Sequence, residues 1–142
     1  MSKLSERLQE CIEEAGFTQT ELALKTGIGH SNISDYLSDK HTPSFGHFIA
    51  LITVFHCSAD YLPGLTEIHS EEKFLPVPPF SEQLRTILKL HGISQGKLMQ
   101  DLNISASALY KWLTGAGPRT DTLKKLADYF GCSVDFLIGR VR

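Results

Sequence analysis

Apolar residues recur three or four positions apart along most of the chain, a spacing typical of amphipathic α-helices. A first helix is predicted over residues 3–15 and is ended by Gly16. Its apolar positions are Leu4, Leu8, Ile12 and Ala15. Thr18 and Glu21 have the three-residue spacing of a capping box, which predicts that a second helix begins after Thr18. Residues 17–37 are therefore expected to form a helix, a tight turn and another helix.

This stretch is repeated 76 residues later, over residues 93–113, and five of the 21 aligned positions are identical. The identical pairs are Gln19 with Gln95, Leu22 with Leu98, Ile28 with Ile104, Ser31 with Ser107 and Leu37 with Leu113. The ends of the two copies agree better, since FHCSADYLPG and FGCSVDFLIG share six of ten residues. Because identity is concentrated in elements that pack, the two copies are expected to share a fold while their surfaces have diverged.

The turn between the two helices contains Gly27 in the first copy and Asn103 in the second. Glycine adopts a positive φ without steric cost, and asparagine is the next most tolerant residue, so both positions are predicted to be left-handed. Tyr36 and Trp112 could stack on bases, but their place in the apolar pattern favours packing beneath the helix that follows the turn. A helix placed after such a turn can enter the major groove of DNA.

The duplication predicts two domains, over residues 1–66 and 80–142, joined by a linker over residues 67–79. In the first copy, a broadly apolar helix over residues 44–56 is expected to be buried and to be followed by a short last helix capped by Ser58. The linker is too apolar for a free tether, and we expect it to pack on a domain and to fix the relative orientation of the two. Its apolar residues are Phe74, Leu75 and Val77, and its prolines are Pro76, Pro78 and Pro79.

Charge is distributed unevenly between the copies. The chain has 14 Lys and Arg residues against 16 Asp and Glu residues, a formal net charge of −2. Residues 1–66 have a net charge of −4, residues 67–79 of −2 and residues 80–142 of +4. Because affinity for DNA depends mainly on cations that release counterions from phosphates, the second copy is expected to be the better ligand for a polyanion.

The remaining composition excludes several classes of protein. No apolar run approaches the roughly 20 residues that span a bilayer, and the N-terminus lacks the apolar segment of a secretory signal. Three cysteines without CxxC spacing favour a reducing cytoplasm, and Cys57 and Cys132, at equivalent positions, are expected to be small buried residues. The histidines lack metal-site spacing, and no phosphate loop, nucleophile elbow or carboxylate pair is present. We therefore expect no enzyme, metal or cofactor.

Each half resembles the five-helix DNA-binding domain of the lambda-repressor/Cro-like (XRE-type) helix-turn-helix regulators. The motifs behind this resemblance are TQTELA, Gly27, Ile28, Ile33, Pro43 and CSADYLPGL in the first half, and SQGKL, Ile104, Leu109, Pro118 and CSVDFLIG in the second. The resemblance implies an all-α fold of two tandem five-helix lambda-repressor-like domains joined by a Pro-containing linker. It also implies a cytoplasmic, sequence-specific transcriptional regulator that binds double-stranded DNA and represses by occupying a promoter.

The resemblance also implies where DNA is contacted. In this family, a glutamine at the start of the second helix contacts phosphate and braces the recognition helix, and Gln19 and Gln95 match that position. Exposed positions of the recognition helix read bases, and residues of the following loop contact the backbone. In the second copy the matching residues are Ala106, Ser107, Ala108, Tyr110, Lys111, Thr114, Arg119 and Thr120. In the first copy they are His30, Ser31, Asn32 and Ser34, with Asp35, Ser38 and Lys40 beside them.

Packing and charge favour different copies as the main DNA-binding domain. The first copy has Ala23 and Gly27, which allow the two helices to approach closely, where the second has Met99 and Asn103. However, the first copy places Asp35 where it would repel phosphate, although a carboxylate can accept a hydrogen bond from cytosine N4. A flexible methionine can be accommodated by repacking, whereas an acidic domain gains little from phosphates, so the second copy is expected to supply most of the affinity.

The sequence also supports an alternative, a protein-interaction module of antitoxin or anti-repressor type in which the acidic residues 1–66 bind a protein partner. The sequence leaves the oligomeric state of the protein open. Two domains in one chain could imitate the dimer that usually binds DNA, whereas a chain with one competent copy must form a homodimer to read a palindrome. Residues 66–79 reach at most about 46–50 Å when extended. Half-sites one DNA turn apart are separated by about 34–36 Å, so both copies could reach one face of one duplex.

Overall fold

The structure, a computed structural model, describes residues 2–69 and 73–142, and these form two compact units divided between the two ranges. Within the described ranges the secondary structure is helix and turn without strands, which confirms the predicted all-α class. The helices of the first unit are α1 (Lys3–Ala15), α2 (Gln19–Thr26), α3 (His30–Leu37) and α4 (Phe45–Val54). Those of the second unit are α5 (Phe80–His91), α6 (Gln95–Leu102), α7 (Ala106–Thr114), α8 (Thr120–Phe130) and α9 (Val134–Leu137).

Local sequence signals account for the ends of these helices. The Thr18 hydroxyl accepts a hydrogen bond from the Glu21 N–H at 3.1 Å, and the Glu21 carboxylate accepts one from the Thr18 N–H at 3.2 Å. The predicted capping box is therefore confirmed. Ser94 caps α6 without the reciprocal bond, by accepting from the Lys97 N–H at 3.1 Å. Gly16 ends α1 in the left-handed conformation, with a φ of 72°.

Gly27 and Asn103 both adopt the predicted left-handed conformation, with φ of 72° and 53°. Each ends a helix, because the Gly27 N–H donates to the Ala23 carbonyl and the Asn103 N–H donates to the Met99 carbonyl. The two copies thus reach the same turn with different residues. The turn of the second copy relies on the tolerance of asparagine for positive φ.

We expect Asn103→Ala to lower the free energy of unfolding of the second unit by about 1 kcal/mol, because alanine is strained in the left-handed region. Asn103→Gly is expected to preserve or raise it. Trp112 is the single tryptophan of the chain, so urea denaturation followed by tryptophan fluorescence reports on this unit. Equal stability of the two variants would show that the turn does not depend on left-handed geometry.

The short last helix predicted at Ser58 is not an α-helix, since residues 59–64 form turns. In the second unit the corresponding segment is α9, in which the Ile138 N–H donates to the Val134 carbonyl at 3.0 Å. The first copy has Pro63 where the second has Ile138. Proline has no N–H to donate, so the α-helical bond made by Ile138 cannot form in the first copy.

The core contains the aromatic residues beneath the recognition helices. Tyr36 is 4% exposed and Trp112 is 9% exposed, which confirms their predicted packing.

Cys57 is buried as expected, but Cys132 is partly exposed, so that expectation is wrong for the second copy. Cys11, whose direction the sequence left undetermined, is buried. A hydrogen bond with the Cys57 thiol lowers the pKa of Cys11 from its ordinary value.

The segment predicted as a linker packs at both of its described ends, while residues 70–72 lie outside the described ranges. In the first unit, the Ser58 N–H donates to the His69 carbonyl at 2.8 Å. In the second unit, the Leu75 N–H donates to the Arg140 carbonyl at 2.7 Å, and the Phe74 ring lies 3.7 Å beneath the Arg140 guanidinium. Each described end of this segment is therefore bonded to the unit on its own side.

Candidate nucleic-acid interface

Helix α7 exposes one continuous face to solvent. Its buried side is formed by Leu109 and Trp112. The exposed residues are Ala106, Ser107, Tyr110, Lys111 and Thr114, and Tyr110 is 68% exposed. Ser105 caps the helix by accepting from the Ala108 N–H at 3.1 Å, so the N-terminal end of the face is held in place by a side chain. Five of the eight residues expected from the resemblance in the second recognition helix and the following loop thus form one surface.

Two of the expected residues do not belong to this surface. Ala108 is half-buried and lines a cavity of about 230 Å³ with Trp112 and Thr122, on the side of α7 that faces α8. Thr120 is only 2% exposed, because the first residue of α8 points into the second unit. Arg119, the residue before α8, is exposed, as is Gln95 at the start of α6. Helical periodicity places Ala108 off the exposed face, but the inward direction of Thr120 depends on how α8 packs.

The corresponding face of the first unit is formed by α3. Its predicted residues His30, Ser31, Asn32 and Ser34 are all exposed. The Ser34 hydroxyl donates to Gln19 Oε1 at 3.2 Å, which ties α3 to the start of α2. Within the described residues the Gln95 side chain makes no equivalent bond, and Tyr110 occupies the position of Ser34. The two faces are therefore built on the same backbone and held by different contacts.

Carboxylates lie beside the α3 face. Asp35 is partly exposed, and His41 Nε2 lies 3.9 Å from its carboxylate, at the limit of an ion pair. Asp39 follows α3 and accepts hydrogen bonds from the Ser2 backbone N–H, at 2.7 Å, and from the Ser2 and Ser5 hydroxyls. These bonds, led by the Ser2 hydroxyl, lower the pKa of Asp39. Both carboxylates give this end of the first unit a negative charge at neutral pH.

The nine Lys and Arg residues of the second half are not all available at its surface. Arg140 is 3% exposed and pairs with Asp135 at 3.0 Å, and Arg85 donates to the Leu113 carbonyl at 3.1 Å. Lys97 pairs with Asp101 at 3.2 Å. Besides Lys97, the exposed cations nearest to the α7 face along the chain are Lys111, Arg119 and Lys125. The sequence alone does not show which of these cations are exposed and which arginine is buried, because burial depends on tertiary contacts.

The second unit also contains a link between α6 and α8 that was not predicted. The Tyr129 hydroxyl donates to the Asp101 carboxylate at 2.6 Å. The first copy has Val54 and Lys25 at these two positions and so cannot make the same bond. A tyrosine and an aspartate 28 residues apart give no local signal, so only the packing of α6 near α8 reveals the link.

The hydrogen bond from Tyr129, followed by that from Lys97, lowers the pKa of Asp101, and the same carboxylate raises the pKa of Tyr129. An acid whose folded-state pKa is lowered stabilises the fold above its unfolded-state pKa of about 3.9, and this contribution is lost as the pH falls through the folded-state value. We expect Tyr129→Phe to raise the pKa of Asp101. NMR titration of the Asp101 carboxyl carbon measures this shift, with Asp121 as the control, and an unchanged Asp101 pKa would contradict the assignment.

The described residues give no indication of a metal site or of a membrane-spanning helix. Among residues 2–69 and 73–142, no group of three or more His, Cys, Asp and Glu side chains is arranged to hold a metal ion. None of the helices in these ranges combines the length and the apolar character required to cross a bilayer.

Comparison with known proteins agrees with this geometry. Residues 8–62 match the model of the helix-turn-helix family, and residues 83–141 match that of the Cro/C1-type HTH DNA-binding domain. The HTH-type transcriptional regulator ImmR of Bacillus subtilis (strain 168) is 36% identical over 70 residues, which are 49% of this chain and 55% of the relative. The match thus spans about half of the length of that curated relative. No solved structure matches the chain.

The two family matches cover both repeated halves, including α2 with α3 and α6 with α7. The internal duplication and the left-handed turns at Gly27 and Asn103 agree with them. The chain therefore belongs to the Cro/C1-type (XRE-type) helix-turn-helix family and carries two of its domains in tandem.

Proposed function

We propose that this protein is a sequence-specific transcriptional regulator that represses by occupying a promoter, with the second unit supplying most of the affinity for DNA. The observation behind this proposal is the exposed α7 face, on which Lys111 follows an exposed tyrosine and beyond which Arg119 follows on the loop. Cations at these positions release counterions when they approach phosphates. The relative ImmR is named a transcriptional regulator, which agrees with the proposal.

In the proposed mechanism, α7 lies in the major groove and its exposed side chains meet base edges. Lys111 is a donor suited to guanine O6 and N7 or to a phosphate, whereas Arg119 and Thr114 are candidates for backbone contacts. Gln95, exposed at the start of α6, is a candidate for a further phosphate contact. In the first unit, Gln19 accepts a hydrogen bond from Ser34 and so supports the recognition helix α3. The exposed His30, Ser31 and Asn32 are candidates for weak reading of a second half-site.

Selection of duplexes from a random DNA pool by the full chain tests this function. A regulator that reads sequence should enrich one motif, and the motif should show whether the site is a palindrome, a direct repeat or a single half-site. Enrichment without any consensus would reduce the function to non-specific DNA binding. Failure to retain DNA at low salt, where counterion release is most favourable, would overturn the proposal.

A second candidate function is favoured by the surface of the first unit. Leu24 on α2 is 81% exposed, and α1 exposes Glu6, Glu10 and Glu13 at helical spacing. An apolar side chain in an acidic domain suits a protein partner that combines a basic surface with an apolar pocket. Cross-linking and mass spectrometry of the full chain in its host would identify such a partner. Loss of the partner in Leu24→Glu, with retention in the control Leu90→Glu on α5, would support this function over DNA binding by the first unit.

A further inference from the structure

The exposed strip at the centre of the α7 face is mostly apolar. Ala106, Tyr110 and Thr114 are spaced by four residues and therefore lie in one row along the helix. All three are exposed, and Tyr110 is among the most exposed large side chains of the described chain at 68%. An alanine and an aromatic ring in the middle of a surface proposed to meet DNA require a chemical explanation.

Of the two hydroxyl groups on this strip, that of Thr114 is engaged within the helix, whereas that of Tyr110 makes no hydrogen bond among the described residues. The Thr114 hydroxyl donates to the Tyr110 carbonyl at 2.7 Å, and the Ser107 hydroxyl lies 3.3 Å from that of Ser105. Besides the Tyr110 hydroxyl, the strip offers carbon atoms to a ligand, namely the methyl groups of Ala106 and Thr114 and the ring of Tyr110. Lys111, beside this row, is the cationic group of the face.

In the major groove of DNA, the C5-methyl group of thymine is the apolar feature that distinguishes an A·T pair. Alanine, the threonine methyl group and aromatic rings are the side chains that contact it. The α3 face offers different chemistry, because His30, Ser34 and Ser38 occupy the positions of Ala106, Tyr110 and Thr114. The two faces therefore differ in the bases that they can recognise.

We propose that the α7 face reads thymine methyl groups through Ala106 and Tyr110, whereas the α3 face does not. Binding to the half-site of the second unit should then depend on thymine methyl groups, whereas binding to that of the first unit should not, so the complete operator is read asymmetrically. This inference rests on the proposed function, since it requires α7 to lie in the major groove.

Uracil substitution isolates the methyl group, since deoxyuridine differs from thymidine only by its absence. The duplex selected by the full chain is synthesised with deoxyuridine in place of one thymidine at a time, and each dissociation constant is measured. Affinity should fall about fourfold for each methyl group that is buried against the protein. Tyr110→Ser installs the residue found at this position in α3. In this variant the ratio of the dissociation constants of the uracil and thymine duplexes should approach one at the thymine that Tyr110 contacts. The control Leu90→Ser, which removes an exposed apolar side chain of α5, should leave the ratio at that position unchanged.

The possible failures are distinguishable. A selected motif without thymine, or wild-type ratios near one at every thymine, would overturn this inference while leaving sequence-specific DNA binding intact. If Tyr110→Ser weakens binding to thymine and uracil duplexes equally, Tyr110 contacts the backbone or stacks instead, and its proposed role is overturned. Circular dichroism establishes that the variant is folded. If no motif is selected at all, the proposed function fails and this inference fails with it.

Discussion

Replacing Lys111 and Arg119 together by alanine is expected to weaken DNA binding about 30-fold at 0.15 M salt. Each lost phosphate contact removes roughly 0.9 from the slope of log affinity against log salt, so the slope should decrease in magnitude by about 2. Both side chains are exposed on or beside the α7 face, where they can approach phosphates. Fluorescence anisotropy of a labelled duplex, titrated between 0.05 and 0.3 M salt, measures both the dissociation constant and the salt slope. The Debye length falls from about 13 Å to about 6 Å over this range.

A matched control removes the same charge from the first unit. Lys25→Ala combined with Lys40→Ala also deletes two exposed cations, but from the acidic copy. Because carboxylates such as Asp35 lie nearby, we expect this pair to change the slope much less. Equal changes in the two double variants would mean that net charge alone governs binding. A slope unchanged by loss of Lys111 and Arg119 would exclude the second unit as the main DNA-binding domain.

The second large effect is expected on stability, from Arg140→Ala. Arg140 and Asp135 are 3% and 5% exposed and form an ion pair of 3.0 Å, and the guanidinium also covers the Phe74 ring at 3.7 Å. Removing the arginine leaves a buried carboxylate without its cation. Breaking a buried pair in this way costs about 3–5 kcal/mol. Urea denaturation followed by Trp112 fluorescence should show this loss in the free energy of unfolding of the second unit.

Two further variants establish the cause of that loss. Lys125→Ala removes an exposed cation from the same unit and should change the free energy of unfolding by less than about 0.5 kcal/mol. Arg140→Met combined with Asp135→Leu removes both charges and should recover much of the stability, because the cost lies in the unpaired ion. A loss below about 1 kcal/mol in Arg140→Ala would show that the pair contributes little beyond a surface salt bridge.

The two units stabilise their ends with arginines from different places in the chain. In the first unit, Arg7 of α1 is 5% exposed and donates to the carbonyls of Tyr61 and Thr66, the latter at 2.7 Å. Its guanidinium also lies 4.1 Å from the centre of the Tyr61 ring. In the second unit the buried arginine is Arg140, near the C-terminal end of that unit. Arg7 aligns with Gln83, which donates to the carbonyl of Phe136, the residue aligned with Tyr61, at 3.1 Å. The second unit therefore keeps this bond and adds the buried pair of Arg140 with Asp135.

Because some arginines are buried, the number of cations in each half does not equal the number available to bind DNA. The split into an acidic and a basic half treats Arg140 and Lys111 alike, although one is buried in an ion pair and the other is exposed. The surface contrast between the copies rests on a smaller set of residues, chiefly Lys111 in α7 against Asp35 in α3. Because these two residues occupy equivalent positions, the contrast remains after the buried cations are set aside.

Local sequence determined the helices, their caps and their left-handed turns, because each depends on residues within four positions of one another. The capping box at Thr18, the stop at Gly16 and the turns at Gly27 and Asn103 all formed as predicted. Duplication and motif likewise determined the all-α class and the family, which the comparisons bear out. The absence of an α-helix after Ser58 also has a local cause in Pro63, although the repeat obscured it.

The tertiary structure alone decided which polar side chains face solvent. Thr120 and Arg140 turn inward, Asp101 meets Tyr129, and Cys11 meets Cys57, in each case through packing of helices or segments that periodicity does not place. Helical spacing states which residues share a side of a helix, but the partners of that side come from distant parts of the chain. For this reason the sequence could name the α7 face as a candidate DNA surface, whereas only the fold could separate Lys111 and Arg119 on the surface from the residues that hold the unit together.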